Sequence, residues 1–193
     1  MLSPSLGTEA VVVVGALGQF IDRWTIAFSR HLPRPPADVW RAVSEADQIA
    51  RWFVSQAKLD LRAGGVWAFG PGNPPGFHGT VRSFEAQKNL VFEGPHPGPD
   101  AWWRLDLGEA AGGTWLTLMQ RIGPDSWTNP HGWPADPPDH PAGDANPWRP
   151  GTLAGWHGAL DHLEDLLAGA LFRDLDMAGL KVIYRAHMLA TQP

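Results

Sequence analysis

GTLAGWHGALDHLEDLLAGAL, residues 151–171, is the stretch on which the fold turns. Trp156, Leu160, Leu163 and Leu167 recur at helical spacing, with His157, Asp161, Glu164 and Asp165 outside the stripe. This predicts one long amphipathic helix over 154–169, with Gly169 near its end. Such a helix must bury its stripe against another element, and the chain before it reads as the sheet that can receive it. From Arg23 to His31 polar and apolar residues alternate, with Trp24, Ile26 and Phe28 on one face of a core strand. Leu59 and Leu61 lead to a turn at Gly64-Gly65 and on to Trp67 and Phe69, a hairpin. Further strands are expected at 77–84, 89–94, 101–107 and 114–121, separated by the short turns of an antiparallel meander.

Between the first core strand and the hairpin the period changes. In LPRPPADVWRAVSEADQIARWF, residues 32–53, Pro35-Pro36 precede a helix whose Val39, Trp40 and Val43 share a face, and Ser44 is placed to cap the next turn. Two short helices are expected, 37–43 and 46–53. The β-branched run AVVVVGAL, residues 10–17, reads as an N-terminal strand extension within 1–22. It is too short to span a bilayer and no positive segment precedes it, which makes a cytoplasmic protein the expectation. Residues 123–150 hold eight Pro and three Trp (Trp127, Trp133 and Trp148) without periodicity, a long loop whose rings favour a lid that packs. The extension 171–193 includes a helix-forming stretch, 173–190, interrupted by Gly179. The fold class is therefore α+β: a curved antiparallel sheet of six to seven strands around a long C-terminal helix, with two short helices closing one end, all in a single domain over 1–193.

Composition narrows the function. Lys and Arg number 15 against 20 Asp and Glu, a net charge of −5, so no basic field draws nucleic acid. No cysteine is present, which removes disulfides, thiolate nucleophiles and sulfur-ligated zinc. Eleven Trp stand beside one Tyr, with 22 Gly and 19 Pro, a composition for tight turns around a core or cavity lined by large rings.

Five pieces carry a family resemblance: RPPADVWRAVSEADQIARWF, LDLRAGG, FHGTVRSFE, GGTWLTLMQR and GWHGALDHLEDLL, in order across 23–170. Together they resemble the bacterial single-domain members of the activator of heat shock protein 90 ATPase homologue family, within the SRPBCC (START, birch-pollen-allergen-like) helix-grip superfamily. The resemblance implies a ligand cavity between sheet and helix, which in different members serves transport, sensing, cyclisation or hydrolysis. A contact with a chaperone belongs to the family name. It stands here as an alternative only, because a separate N-terminal domain of the eukaryotic co-chaperone type is not expected.

The expected lining of that cavity is Trp40, Trp52 and Phe53 from the short helices, and Trp67, Phe69, Phe77, Val81, Trp103, Leu116 and Leu118 from the strands. Trp156 and Leu160 complete it from the long helix. Each could equally be an ordinary core residue. Trp102 and Trp103 are adjacent, so one faces in and the other out, toward the loop or a dimer contact. His78 faces solvent by alternation with Phe77 and Gly79. His157 and Asp161 share a helix face at the margin of the stripe, solvated, and a metal there would need a third ligand from His131, Asp136, Asp139 or His140. No phosphate-cradling loop, GxSxG or HExxH occurs, so neither metal, cofactor nor catalytic residue is assigned. The leading expectation is a binder of a small hydrophobic molecule, with a cavity of about 300 Å³ or more. The alternatives are a protein-interaction module touching a chaperone or a second copy, and a cyclase- or hydrolase-type enzyme that points His78 or Arg104 into the cavity.

Overall fold

The computed structural model describes residues 17–22, 24–72, 75–94, 101–121 and 149–191. The expected strand at 10–17 and the loop at 123–150 lie outside these residues, apart from Leu17 and residues 149–150, which already belong to the long helix. The strands are β1 (Gln19–Phe20), β2 (Thr25–Leu32), β3 (Ala57–Leu59), β4 (Val66–Gly72), β5 (Pro75–Glu85), β6 (Asn89–Glu93), β7 (Trp102–Ala110) and β8 (Gly113–Arg121). The helices are α1 (Pro36–Ser44), α2 (Ala46–Trp52), α3 (Arg149–Ala168) and α4 (Met177–Thr191). All strands pair antiparallel in one sheet ordered β1-β2-β8-β7-β6-β5-β4-β3. The two-residue β1 extends the expected count to eight.

The order explains the work of α1 and α2. They carry the chain from β2 to β3 at the far edge, and the meander then returns strand by strand until β8 closes on β2, Phe28 opposite Leu118. Pro36 opens α1 where a missing N–H costs nothing, and Asp38 in its first turn faces the positive end of the helix dipole. The buried Trp52 indole donates to the Ala42 carbonyl at 2.8 Å, locking α2 against α1. Ser44 does not cap α2. Its hydroxyl donates back to the Trp40 carbonyl at 2.7 Å, while Glu45 holds the cap position without a side-chain bond. At the hairpin turn Gly64 adopts φ +75°, and a Cβ on Gly65 would run into the Asp60 carbonyl, so both positions need glycine.

On the inner face, Ile26, Phe28, Leu32, Trp67, Phe69, Val81, Leu90, Phe92, Leu116 and Leu118 meet Leu153, Leu160 and Leu163 of α3 in one apolar cluster. The other side of α3 is not solvated as expected. Helix α4 packs there, with Gly158 leaving room for Leu175 and Met177. Gly179 does not interrupt α4 either: it lies in the first turn, and its N–H takes the Asp176 carboxylate at 2.8 Å as a cap.

Candidate functional site

Alternation along β4, β7 and β8 turns Phe69, Trp103, Leu105 and Leu118 inward, and α2 brings Ile49, Trp52 and its C-cap residue Phe53 over them. Trp156 descends from α3. These side chains converge, with Val43 and Phe92, on a slot whose residual space is about 20 Å³. Phe53 lies parallel to Trp156 with ring centroids 4.8 Å apart and a 7° interplanar angle. It meets Phe69 and Trp103 edge-on at 6.0 and 5.8 Å. The Trp156 indole donates to Gln120 Oε1 at 2.5 Å, a buried polar pair beside the rings. Among the described residues, no ionisable side chain lines the slot.

Of the expected lining, Trp52, Phe53, Phe69, Trp103, Leu118 and Trp156 come together here. Trp67, Val81, Leu116 and Leu160 are buried in the surrounding core, Trp40 is half-buried against it, and Phe77 reaches Trp103 from the rim while 36% exposed. The expected cavity of about 300 Å³ is replaced by ring-on-ring packing, because the Phe53 ring closes over Phe69, Trp103 and Trp156. Val43, Ile49, Phe92 and Leu105 are legible as lining: Val43 shares the α1 face of Val39 and Trp40, Ile49 lies one turn before Trp52 on α2, and the other two are in phase with Leu90 and Trp103.

Candidates for chemistry fare differently. Arg104 points away from the slot, paired in bidentate fashion to Asp106 at 2.6 and 2.8 Å. His78 is half-buried on the strand face opposite Gly79. His157 and Asp161 share a helix face, but α4 covers them, leaving His157 only 9% exposed. The candidate ligands His131, Asp136, Asp139 and His140 lie outside the described residues, among which no cluster of three His, Asp or Glu could hold a metal.

What covers His157 is a polar network that alternation alone did not reveal. Tyr184 of α4, fully buried, places its hydroxyl 2.8 Å from His157 Nδ1 and accepts the Gly18 N–H at 2.9 Å. Asp161 Oδ2 lies 3.7 Å from His157 Nε2, so the proton belongs on Nε2 and Nδ1 accepts the tyrosine hydroxyl. Arg30, on the core face of β2, extends to Glu164 at 3.2 Å and Asp161 at 3.9 Å. Arg173 clamps Asp165 at 2.6 Å. Burial pushes the Tyr184 hydroxyl up to about 12 and raises Glu164, whereas the bonds from Arg173 hold Asp165 low. Burial also holds His157 below its ordinary 6.5, with Arg30 and Arg173 acting the same way and Asp161 opposing.

A pH dependence follows. The unfolded chain binds a proton at His157 more readily than the folded one, so stability rises with pH between the lowered folded value and 6.5, and is flat in this respect above it. Denaturant titrations at pH 5 and pH 7.5 are expected to show lower stability at pH 5, with part of the difference abolished in His157→Gln. An unchanged difference in that variant would assign it to other groups.

A wider space, about 440 Å³, lies between α1, α2 and the end of α3. It is an open groove whose arginines are already engaged: Arg41 with Asp38 at 2.7 Å, Arg34 with the Leu167 carbonyl at 2.7 Å, and Arg51 with Gln48 at 3.2 Å. The slot is the better candidate because it is apolar, ring-lined and set between sheet and helix.

Comparison with known proteins agrees with this architecture. A family model described as Activator of Hsp90 ATPase homolog 1-like protein matches residues 33–168, from just after β2 to the end of α3. A conserved protein of unknown function, EF2215 from Enterococcus faecalis, superposes with a TM-score of 0.66 at 19% identity over 91% of this chain and 92% of its own. CalU16 from Micromonospora echinospora gives 0.59 at 23% identity over 81% of each chain. The Aha1 dimer from Colwellia psychrerythraea gives 0.56 at 15% identity over 74% of this chain and 95% of its own. At these identities the likeness shows the fold alone. A comparison with curated proteins found no match.

Proposed function

Since the chain belongs to the Activator of Hsp90 ATPase homolog 1-like family, we propose that it binds one small, mostly apolar molecule in the slot between sheet and α3. The observation that carries this reading is the convergence of Trp52, Phe53, Phe69, Trp103 and Trp156 on one apolar slot whose outermost ring, Phe53, reaches solvent. A space of 20 Å³ holds about one water, so a ring-sized occupant enters only as a side chain leaves. Catalysis has less support, because Arg104 faces away and His78 lies on the opposite strand face.

Titration of the purified chain with the apolar dye 8-anilinonaphthalene-1-sulfonate tests this, with aromatic and indole NMR signals as readout. Saturable one-to-one binding is expected, shifting Phe53, Trp103 and Trp156 and leaving Trp115, 48% exposed on the outer sheet face, unmoved. Shifts confined to the outer face, or no saturation, would overturn the proposal. A protein contact is the second reading, favoured by Leu171, Val182 and Phe172, which are 94, 62 and 44% exposed. Light scattering decides whether that contact joins two copies: a strictly monomeric chain removes the dimer. No helix among the described residues is long and apolar enough to cross a membrane.

A further inference from the structure

Resting on the site just proposed, we infer that its ligand presents a flat aromatic ring, and that Phe53 is a resident plug which that ring replaces. Two neighbouring rings differ in how they are held. Trp156 lies within the 20-residue α3 and is fixed by its bond to Gln120, itself 3% exposed. Phe53 is the C-cap residue of α2, half-buried, and residues 54–56 after it have no regular structure. The ring free to swing out is therefore Phe53, and Gln120 is the positioning residue that keeps Trp156 as a fixed floor.

The space Phe53 occupies is shaped for a ring. Its floor is the Trp156 face at stacking distance, and its walls are Phe69 and Trp103, at interplanar angles of 85° and 84° to the phenyl. Offset stacking and edge-to-face contact are the two arrangements that the aromatic quadrupole favours. A saturated ring of equal size gains the burial but none of these contacts, so the slot selects for aromaticity as well as for apolar surface. Removing the phenyl leaves a dry space walled by rings, the kind of cavity that takes benzene-sized guests.

The test titrates wild type and Phe53→Ala with toluene and with methylcyclohexane, followed by NMR, each affinity corrected for transfer from water. Phe53→Ala is expected to bind toluene at least about tenfold more tightly than wild type does, and about fivefold more tightly than it binds methylcyclohexane. Should the alanine chain not fold, Phe53→Leu is expected to give the same order. Equal corrected affinity for the two guests overturns the aromatic selectivity and leaves an apolar site standing. Weaker toluene binding in Phe53→Ala than in wild type overturns the plug while the site remains. Absence of binding by both guests in both proteins overturns the plug together with the site beneath it.

Discussion

Alanine at position 67 lowers the unfolding free energy by about 3–5 kcal/mol, the range for a large aromatic removed from a core. Trp67 is 1% exposed and stands opposite Gly79 in the β4–β5 ladder. With no side chain there, the indole crosses the strand and donates to the Thr80 and Glu93 carbonyls at 3.1 and 3.2 Å. Its ring also meets Trp103, Phe69 and Phe92 at centroid distances of 5.0 to 5.5 Å. The truncation therefore opens a cavity behind the slot and strips a donor from two carbonyls at once. Trp67→Phe retains most of the volume and is expected to lose about 1 kcal/mol for the donor, plus the poorer fit of a smaller ring. Urea denaturation followed by circular dichroism measures both. An alanine variant within 1 kcal/mol of wild type would show that the core closes around the gap and that Trp67 is not the support described.

The second large effect is expected at Tyr184. Its ring packs edge-on against Phe28 and His157, at 6.4 and 5.8 Å, and its hydroxyl ties α4 to both α3 and Gly18. Tyr184→Ala is expected to cost about 3–5 kcal/mol of local stability, read as loss of hydrogen-exchange protection through α4, with the sheet amides affected less. Tyr184→Phe keeps the ring and leaves the Gly18 N–H and His157 Nδ1 without this partner, at about 1–3 kcal/mol. Unchanged protection of α4 in Tyr184→Ala would mean that Leu180 and Met177, packed against the same cluster, hold the helix without the tyrosine.

Much of the site is legible in residue order, and its limits can be located. Period two sets one of Trp102 and Trp103 inward, and the buried one is Trp103, in phase with the buried Leu105, because neighbours in a strand must alternate across the sheet. The same rule, carried on from Ile26 and Phe28, puts Arg30 on the core face, where its charge needs partners. Its counterparts, Asp161 and Glu164, sit on α3 well over a hundred residues away, and no local pattern announces such a pairing. Local periodicity puts His157 in solvent, because its own helix offers an apolar stripe elsewhere. It is buried because α4 returns over it, and local periodicity does not report what a later segment covers.

By itself the sequence determined the succession of the long strands and helices, the alternation along each strand, the turn at Gly64-Gly65 and the apolar stripe of α3. These depend on periodicity and on backbone sterics, which act between near neighbours. Only the tertiary structure decided that Phe53 fills the space expected to be a cavity, that Trp67 braces β5 and β6 behind the slot, and that α4 seals a charged network over His157. Each of these depends on the depth and identity of partners distant in the chain, and close packing assigns one volume to whichever side chain reaches it.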